Sequence, residues 1–360
     1  MAPRTGLALM DRYVRQVSLI GEEAQDLIRA ARIGVIGAGG LGSPALLYLA
    51  GAGVGSILLI DADVTSTTNL HRQIVHSGET VGVPKVESAA ARLKALNPDT
   101  RVDAVNQRLT WSNDGTDAVA LLEGCDVVLD GADNFATRHV VSHACARLGI
   151  PHVWGSILGF EAQLSVFWAG RGPVYEDLFP APPPPGSVPS CAQAGVLGPL
   201  VGVVGSAMAA EALKIATGLG DPLVGQLGYY DMLAGTWEYI ALAPNPHVSE
   251  QVRTGTPPTG PAEVESIAEG ATIIDVREPE EFTTGHLLGA INVPLGRIME
   301  GETPDELENG GVIVCASGVR SSEAVAILEA RGLTGLASLR GGLERITADP
   351  DAADLHGTPD

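Results

Sequence analysis

Short stretches of unbroken apolar residues alternate along the first half of the chain with segments of helical periodicity. Residues Arg32–Ile36, Ser56–Ile60 and Cys125–Leu129 are brief and apolar, as strands buried on both faces are. Between and after them, Leu41–Ala52, Pro84–Leu96 and Phe135–Leu148 space their apolar residues as helices do, the second with proline in its first turn. Arg101–Val105 alternates as a strand. This alternation predicts an α/β fold, a parallel sheet covered by helices on both sides. Beyond residue 160 the pattern changes. Gln163–Trp168, Gln226–Tyr230 and Thr236–Leu242 predict strands that continue the sheet in mixed fashion. Tyr175–Gln193 contains four consecutive prolines, Pro182–Pro185, and is expected to be an extended, mobile loop. It leads into Val196–Ala210, an apolar run expected to be a buried helix, with Gly198, Gly202 and Gly205 allowing close packing.

Ala243–Pro261 has five prolines and no periodicity. It predicts a linker over 244–261 between a larger unit, 1–243, and a smaller α/β unit, 262–347. Strands are expected in the smaller unit at Thr272–Ile274, Ala290–Val293, Gly311–Val314 and Ala337–Leu339. A length of 360 residues suits two domains.

Composition narrows the function classes. The net charge of -21 opposes binding to nucleic acid or an anionic membrane, and no run of Lys or Arg offsets it. The longest uncharged apolar run falls short of the roughly 20 residues a membrane span needs. The first 19 residues carry Arg4, Asp11, Arg12 and Arg15 without an apolar core, so no signal peptide is expected and the cytoplasm is the default location. None of the four cysteines forms a C-x-x-C pair, which leaves a structural zinc site without support. Cys125 and Cys145 follow strand and helix spacing and are expected in the core.

Candidate chemistry begins at Gly37-Ala38-Gly39-Gly40-Leu41-Gly42, where Gly37, Gly39 and Gly42 fit G-x-G-x-x-G between a strand and a helix. Such a turn exposes backbone N–H groups to phosphate at a helix N-terminus. Asp61, 24 residues after Gly37 and just past the next strand, is placed to bond a ribose hydroxyl. Alone, this pattern fits a dinucleotide-dependent oxidoreductase equally well. The following segments change the picture. Asn69-Leu70-His71-Arg72-Gln73, Gly82-Val83-Pro84-Lys85 and Asp133-Asn134 lie at strand ends or helix starts. They supply an amide, two cations and an acid able to hold Mg²⁺, a set suited to a triphosphate rather than to hydride transfer. Asp133 is also a candidate cap for the helix near Phe135.

These segments, with Arg12-Tyr13-x-Arg15-Gln16, Asp133-Asn134-x-x-Thr137-Arg138 and Pro189-Ser190-Cys191-Ala192-x-Ala194-Gly195-Val196, resemble the bacterial E1-like adenylyltransferases of the MoeB/ThiF family over about residues 8–242. The resemblance implies a Rossmann-like adenylation domain with a mixed sheet. It would use ATP and Mg²⁺ to adenylate the C-terminal Gly-Gly carboxylate of a ubiquitin-like sulfur-carrier protein. By the same resemblance Gly40, Asp61, Thr68, Leu70 and His71 line the nucleotide. Asn69, Arg72 and Lys85 hold phosphates, Asp133 holds Mg²⁺ or positions the reacting groups, and Asn134 lies beside it. Arg15 resembles an arginine supplied by a neighbouring subunit, which implies a homodimer. Cys191 resembles a cysteine of the crossover loop that can link to the carrier. The family often carries two C-x-x-C pairs; Val174 and Asp177 stand at the first, so no zinc is expected here. His71, His76, His139, His143 and His286 show no metal-ligand spacing with acids or cysteines.

In the smaller unit, strand Val312–Val314 ends at Cys315, followed by Ala316-Ser317-Gly318-Val319-Arg320 and a helix. A cysteine in such a ring of N–H groups is placed to carry an anionic sulfur, with Arg320 facing an incoming anionic donor. This loop, Asp275-Val276-Arg277, Glu281-Phe282, Gly285-His286, Gly289–Asn292 and Gly341-Gly342-Leu343 resemble the rhodanese family over about 262–347. The resemblance implies a persulfide on Cys315, supplied by a cysteine desulfurase or thiosulfate. Together the two halves resemble fused adenylyltransferase–sulfurtransferases of the MoeZ type. Three rivals stand beside that reading: an E1-like enzyme forming a carrier thioester at Cys191, an NAD-dependent oxidoreductase, and a non-catalytic scaffold.

Overall fold

A computed structural model of the chain describes residues 6–111, 116–183, 195–258, 260–264, 266–343 and 356–357. The chain forms two compact units that part near residue 258.

The larger unit opens with two helices, α1 (Gly6–Ile20) and α2 (Glu22–Ala30). It continues through β1 (Arg32–Ile36), α3 (Gly42–Ala52), β2 (Ser56–Ile60), α4 (Lys85–Leu96) and β3 (Arg101–Val105). Next come α5 (Thr116–Leu122), β4 (Val127–Asp130), α6 (Phe135–Leu148), β5 (His152–Leu158), β6 (Glu161–Phe167) and α7 (Tyr175–Leu178). α8 (Gly198–Thr217), β7 (Gln226–Asp231), β8 (Thr236–Ala241) and α9 (Pro246–Thr254) complete it.

Its eight strands run in the order β3-β2-β1-β4-β5-β6-β7-β8. The first five are parallel, and the last three extend the sheet antiparallel. The apolar strands are explained by cover on both faces. Ile33 and Val35 of β1 join Leu46, Leu49 and Val204 on one side. Ile36 joins Val140, Val141 and Cys145 on the other. The order 3-2-1-4-5 reverses at β1, where doubly wound sheets bind ligands at strand carboxyl ends. Ile36 pairs with Ile60 and with Asp130, so Gly37, Asp61 and Gly131 leave the sheet side by side.

Three expectations change. Strand β5 falls where no strand was expected, and it carries the switch from parallel to antiparallel pairing. The stretch expected to be an extended loop begins as helical turn α7, with Tyr175 fully buried among Trp154, Phe167 and Leu227; residues 184–194, including Cys191, lie outside the described residues. The expected linker contains α9, capped by the Asn245 side chain and packed through Val252 against Ala146 and Val174. Its periodicity is hidden by Pro246, which is well tolerated in a first helical turn. α8 also runs seven residues past the uncharged segment. By length and composition it is able to cross a membrane, yet Leu200, Val201, Val204 and Met208 are buried in the core.

The smaller unit contains β9 (Glu263–Val264), β10 (Ile273–Asp275), α10 (Pro279–Thr283), β11 (His286–Leu287), β12 (Ile291–Asn292) and α11 (Leu295–Met299). β13 (Gly311–Val314), α12 (Val319–Ala330) and β14 (Leu336–Leu339) follow. Five strands form a parallel sheet in the order β12-β10-β13-β14-β9. α12 covers one face through Ala324, Val325 and Leu328.

Candidate active sites

The first site grows out of the register. Gly37 has φ 90°, a left-handed conformation suited to glycine, beside the Gly131 carbonyl. A Cβ on Gly42 would overlap the Gly37 carbonyl oxygen, so helix α3 can start here only with glycine. At Gly39 the same construction meets nothing closer than Gln73 Nε2 at 3.7 Å. The outer two glycines are therefore required by packing, whereas the middle one leaves space. The N–H groups of Gly39 and Gly40 find no backbone acceptor among the described residues, an arrangement that fits a phosphate oxygen.

Between Gly37 and Gly39, Ala38 is fully buried and its N–H donates to Asp61 Oδ2 at 2.7 Å. Asp61 Oδ1 accepts from the Asp63 N–H at 2.8 Å. Burial pushes the Asp61 carboxyl above its usual range, and the Lys85 charge opposes that rise. Each Asp61 oxygen keeps a lone pair for a hydroxyl. Lys85 is buried and its Nζ lies 2.7 Å from Asp63 Oδ2. A lysine is seldom buried without a partner, so α4 begins on a held cation.

Thr67–Asn69 form a 3-10 turn. The Asn69 carbonyl accepts from the N–H groups of Arg72 and Gln73, turning the chain back. Arg72 Nη1 donates to the Thr68 carbonyl at 3.1 Å and lies 2.8 Å from His71 Nε2. A Cβ on Gly198 would overlap the His71 carbonyl, so the start of α8 packs on this turn. Gln73, buried beneath Gly39, links the segment to the glycine turn.

On the other side, Asp130 Oδ1 accepts from the Ala132 N–H at 3.0 Å. Arg138 donates to the Ala132 carbonyl through Nε and Nη2 at 3.2 and 3.1 Å. Ala132 is thus held through both its N–H and its C=O, and the exposed Asp133 follows it. Asn134, not Asp133, caps α6, accepting from the Thr137 N–H at 2.9 Å. The Asp133 carboxylate has no hydrogen bond among the described residues and is free to meet a cation.

Arg15 is placed differently. Its motif neighbours fasten α1: Arg12 donates to the Leu96 carbonyl, Tyr13 accepts from Asn97, and Gln16 donates to the Ala52 carbonyl. Leu96 and Ala52 close the helices that begin at Lys85 and Gly42. Arg15 therefore sits by the far ends of α3 and α4, roughly 15 Å along their axes from the glycine turn. It is exposed and unpartnered among the described residues.

The cysteine loop is the second site. Cys315 is fully buried at the end of β13. Its Sγ accepts from the N–H groups of Gly318 at 3.1 Å and Ser321 at 3.4 Å, with Ser321 Oγ also 3.4 Å away. Ser338 on β14 supports Ser321 at 2.7 Å. Gly318 adopts φ 90°. A Cβ on Gly342 would overlap the carbonyls of Cys315 and Ala316, and the Leu343 N–H donates to the Cys315 carbonyl. Arg277 pairs with Asp275 and donates to the Gly285 carbonyl, while Asn292 donates to the carbonyls of both Asp275 and Arg277.

Arg320 makes a two-pronged pair with Glu281 at 2.6 and 2.7 Å, which holds the Glu281 carboxyl down at about 2. The pair ties α12 to α10. Sequence reasoning missed Ser321, Ser338 and His76, whose lone polar letters carry no spacing signal. Where the first C-x-x-C pair was absent, Asp177 accepts from the N–H groups of Val174 and Asn245. Nearby Glu176 accepts from His139 and Ser142 of α6. Among the described residues no group of three metal-binding side chains occurs.

Comparison with known proteins agrees with this architecture. The ThiF family model matches residues 12–252, and the rhodanese-like domain model matches 261–349. The chain is 40% identical to the probable adenylyltransferase/sulfurtransferase MoeZ of Mycobacterium tuberculosis, over 92% of this chain and 91% of that one. It is 47% identical to the sulfur carrier protein adenylyltransferase of Thermus thermophilus, over 66% of this chain and 89% of that one. Among solved structures, E. coli MccB shares the fold at TM-score 0.57 and 22% identity, covering 65% of this chain and 72% of MccB. With the family model spanning residues 12–252 and the second model following it, the chain belongs to the ThiF family and carries a rhodanese-like domain behind its ThiF domain.

Proposed function

We propose that this protein uses ATP to adenylate the C-terminal Gly-Gly carboxylate of a ubiquitin-like sulfur-carrier protein, then gives that carboxylate sulfur from a persulfide on Cys315. The observation that carries the reading is the shared rim of β1, β2 and β4, where the open glycine turn, Asp61 and Asp133 emerge together with Lys85 held beside them. The relatives named for adenylyl and sulfur transfer support it.

In this mechanism the Gly39 and Gly40 N–H groups, Arg72 and Lys85 bind the phosphates, with Asn69 and the Thr68–His71 turn alongside. Asp61 orients the ribose. A carrier carboxylate oxygen attacks the α-phosphorus, the bond to the β-phosphate oxygen breaks, and pyrophosphate leaves with the electron pair. Lys85 and Arg72 stabilise the charge that grows on it. Asp133, exposed and uncommitted, would hold Mg²⁺ through its carboxylate. When bound, Mg²⁺ supplies charge neutralisation to the phosphates. Arg15, remote from its own chain's turn, supports a homodimer in which each subunit completes the other's site.

Cys315 then acts as sulfur carrier. The terminal sulfur of its persulfide attacks the acyl carbon and AMP leaves, forming an acyl persulfide. A thiol that attacks the Cys315 sulfur releases the thiocarboxylate and leaves a disulfide, which an external reductant resets; Cys191 is the candidate thiol. The persulfide comes from a cysteine desulfurase or thiosulfate. Cys125, Cys145 and Cys315 are free thiols, which suits the reducing cytoplasm.

Pyrophosphate release tests the first step. It should need both ATP and a carrier ending in Gly-Gly, and should vanish with a carrier lacking those glycines. Release that ignores the carrier tail would refute the substrate assignment.

A further inference from the structure

We propose that His76 is a positioning residue for the phosphate cradle, holding the Ala38 carbonyl inward so that the Gly39 N–H is presented outward. The imidazole is buried, with Nε2 2.9 Å from the Ala38 carbonyl oxygen and Nδ1 2.9 Å from Ser88 Oγ. A carbonyl only accepts, so Nε2 carries the hydrogen. Burial, with the nearby Lys85 charge, lowers the His76 pKa and so opposes a second proton on the ring. Among the described residues the one other side chain on this carbonyl, Ser43 Oγ, is farther at 3.4 Å.

The geometry of a trans peptide supplies the consequence. Its C=O and N–H point in opposite directions. Drawing the Ala38 carbonyl toward His76 turns the Gly39 N–H the other way, and that N–H has no backbone acceptor among the described residues. The preceding peptide is pinned as well, by the Ala38 N–H on Asp61. Two successive peptides of the turn are therefore fixed before any phosphate arrives. The same imidazole reaches α4 through Ser88, one turn after Lys85, and Ser88 in turn bonds Thr80 at 2.8 Å. His76 thus couples the N–H donors of the cradle to the helix bearing its cation.

The inference rests on the adenylation reading, and the test separates the two. ATP affinity is measured by calorimetry, and KM for ATP and kcat by pyrophosphate exchange with a Gly-Gly carrier. His76→Leu should weaken ATP binding and raise KM for ATP about tenfold or more, the scale of a lost buried hydrogen bond, with kcat at saturating ATP little changed. His76→Gln offers an amide N–H to the Ala38 carbonyl and should restore most of the affinity. Cooperative thermal unfolding of the larger unit, read by circular dichroism, should persist in the same chains and show that the unit carrying His76 is folded. If His76→Leu does not fold, Ser88→Ala serves, with an expected rise of about two- to fivefold. Unchanged ATP affinity in His76→Leu, or in Ser88→Ala where that variant is used, overturns the proposal; so does equal loss in the Leu and Gln variants. Failure of the unaltered protein to exchange pyrophosphate would instead refute adenylation, and calorimetry would still report on His76.

Discussion

Single residues in this protein act mostly through the partners that hold them. Lys85 is buried against Asp63 and sits close enough to bias Asp61, so its ammonium is in place before ATP binds. Lys85→Ala should cut kcat/KM for pyrophosphate release by about a hundredfold or more, as loss of a charge-stabilising donor does; an effect below tenfold would remove Lys85 from the site. Glu281 makes a pH-dependent contribution. Its carboxyl is held below its ordinary value of 4.5, at about 2, chiefly by Arg320. A depressed carboxylate stabilises the fold above its unfolded pKa, and that contribution is lost as pH falls toward the folded value. Glu281→Gln should therefore lower the melting temperature of the smaller unit at pH 7. The gap from the unaltered protein should narrow between about pH 4.5 and pH 2; a gap independent of pH would contradict the pair's role.

At the level of elements, the glycine turn shows how packing and binding divide one motif. Gly42→Ala puts a methyl into the Gly37 carbonyl and should prevent α3 from starting, so the larger unit should lose soluble yield or cooperative melting. Gly39→Ala meets only ordinary contact at Gln73. It should fold normally and weaken ATP binding alone, by calorimetry. Continuous apolar strands and the G-x-G-x-x-G turn made the parallel half of the sheet legible in the sequence, because strands covered on both faces leave no polar alternation. β5 and α9 were not legible. β5 opens at His152 and contains Gly155, so its apolar run is short, and α9 hides among five prolines. The candidate site divides the same way. Asp61, Arg72, Lys85 and Asp133 have fixed offsets from recognisable turns, whereas His76 and Ser321 act through three-dimensional contacts alone. Where paired cysteines were missing, Asp177, Asn245 and an apolar contact of Val174 with Val252 join α7 to α9. A strong chelator should leave the melting temperature unchanged; a clear drop would reveal a structural metal.

For the whole molecule, the decisive feature is that a nucleotide site and a sulfur site share one chain. A homodimer with exchanged arginines makes a specific demand. Arg15→Ala and Lys85→Ala should each be strongly impaired alone, yet mixing and re-equilibrating them should restore activity, because one site of each mixed dimer keeps both residues. No restoration, with mixed dimers verified by mass, would place Arg15 outside the site. The intact mass of a Gly-Gly carrier, read after incubation with ATP and a persulfide donor, reports on both sites at once. The unaltered protein should replace one carrier oxygen by sulfur, and Cys315→Ala should still release pyrophosphate while leaving the carrier as its carboxylate. An undiminished yield of thiocarboxylate from Cys315→Ala would contradict the account.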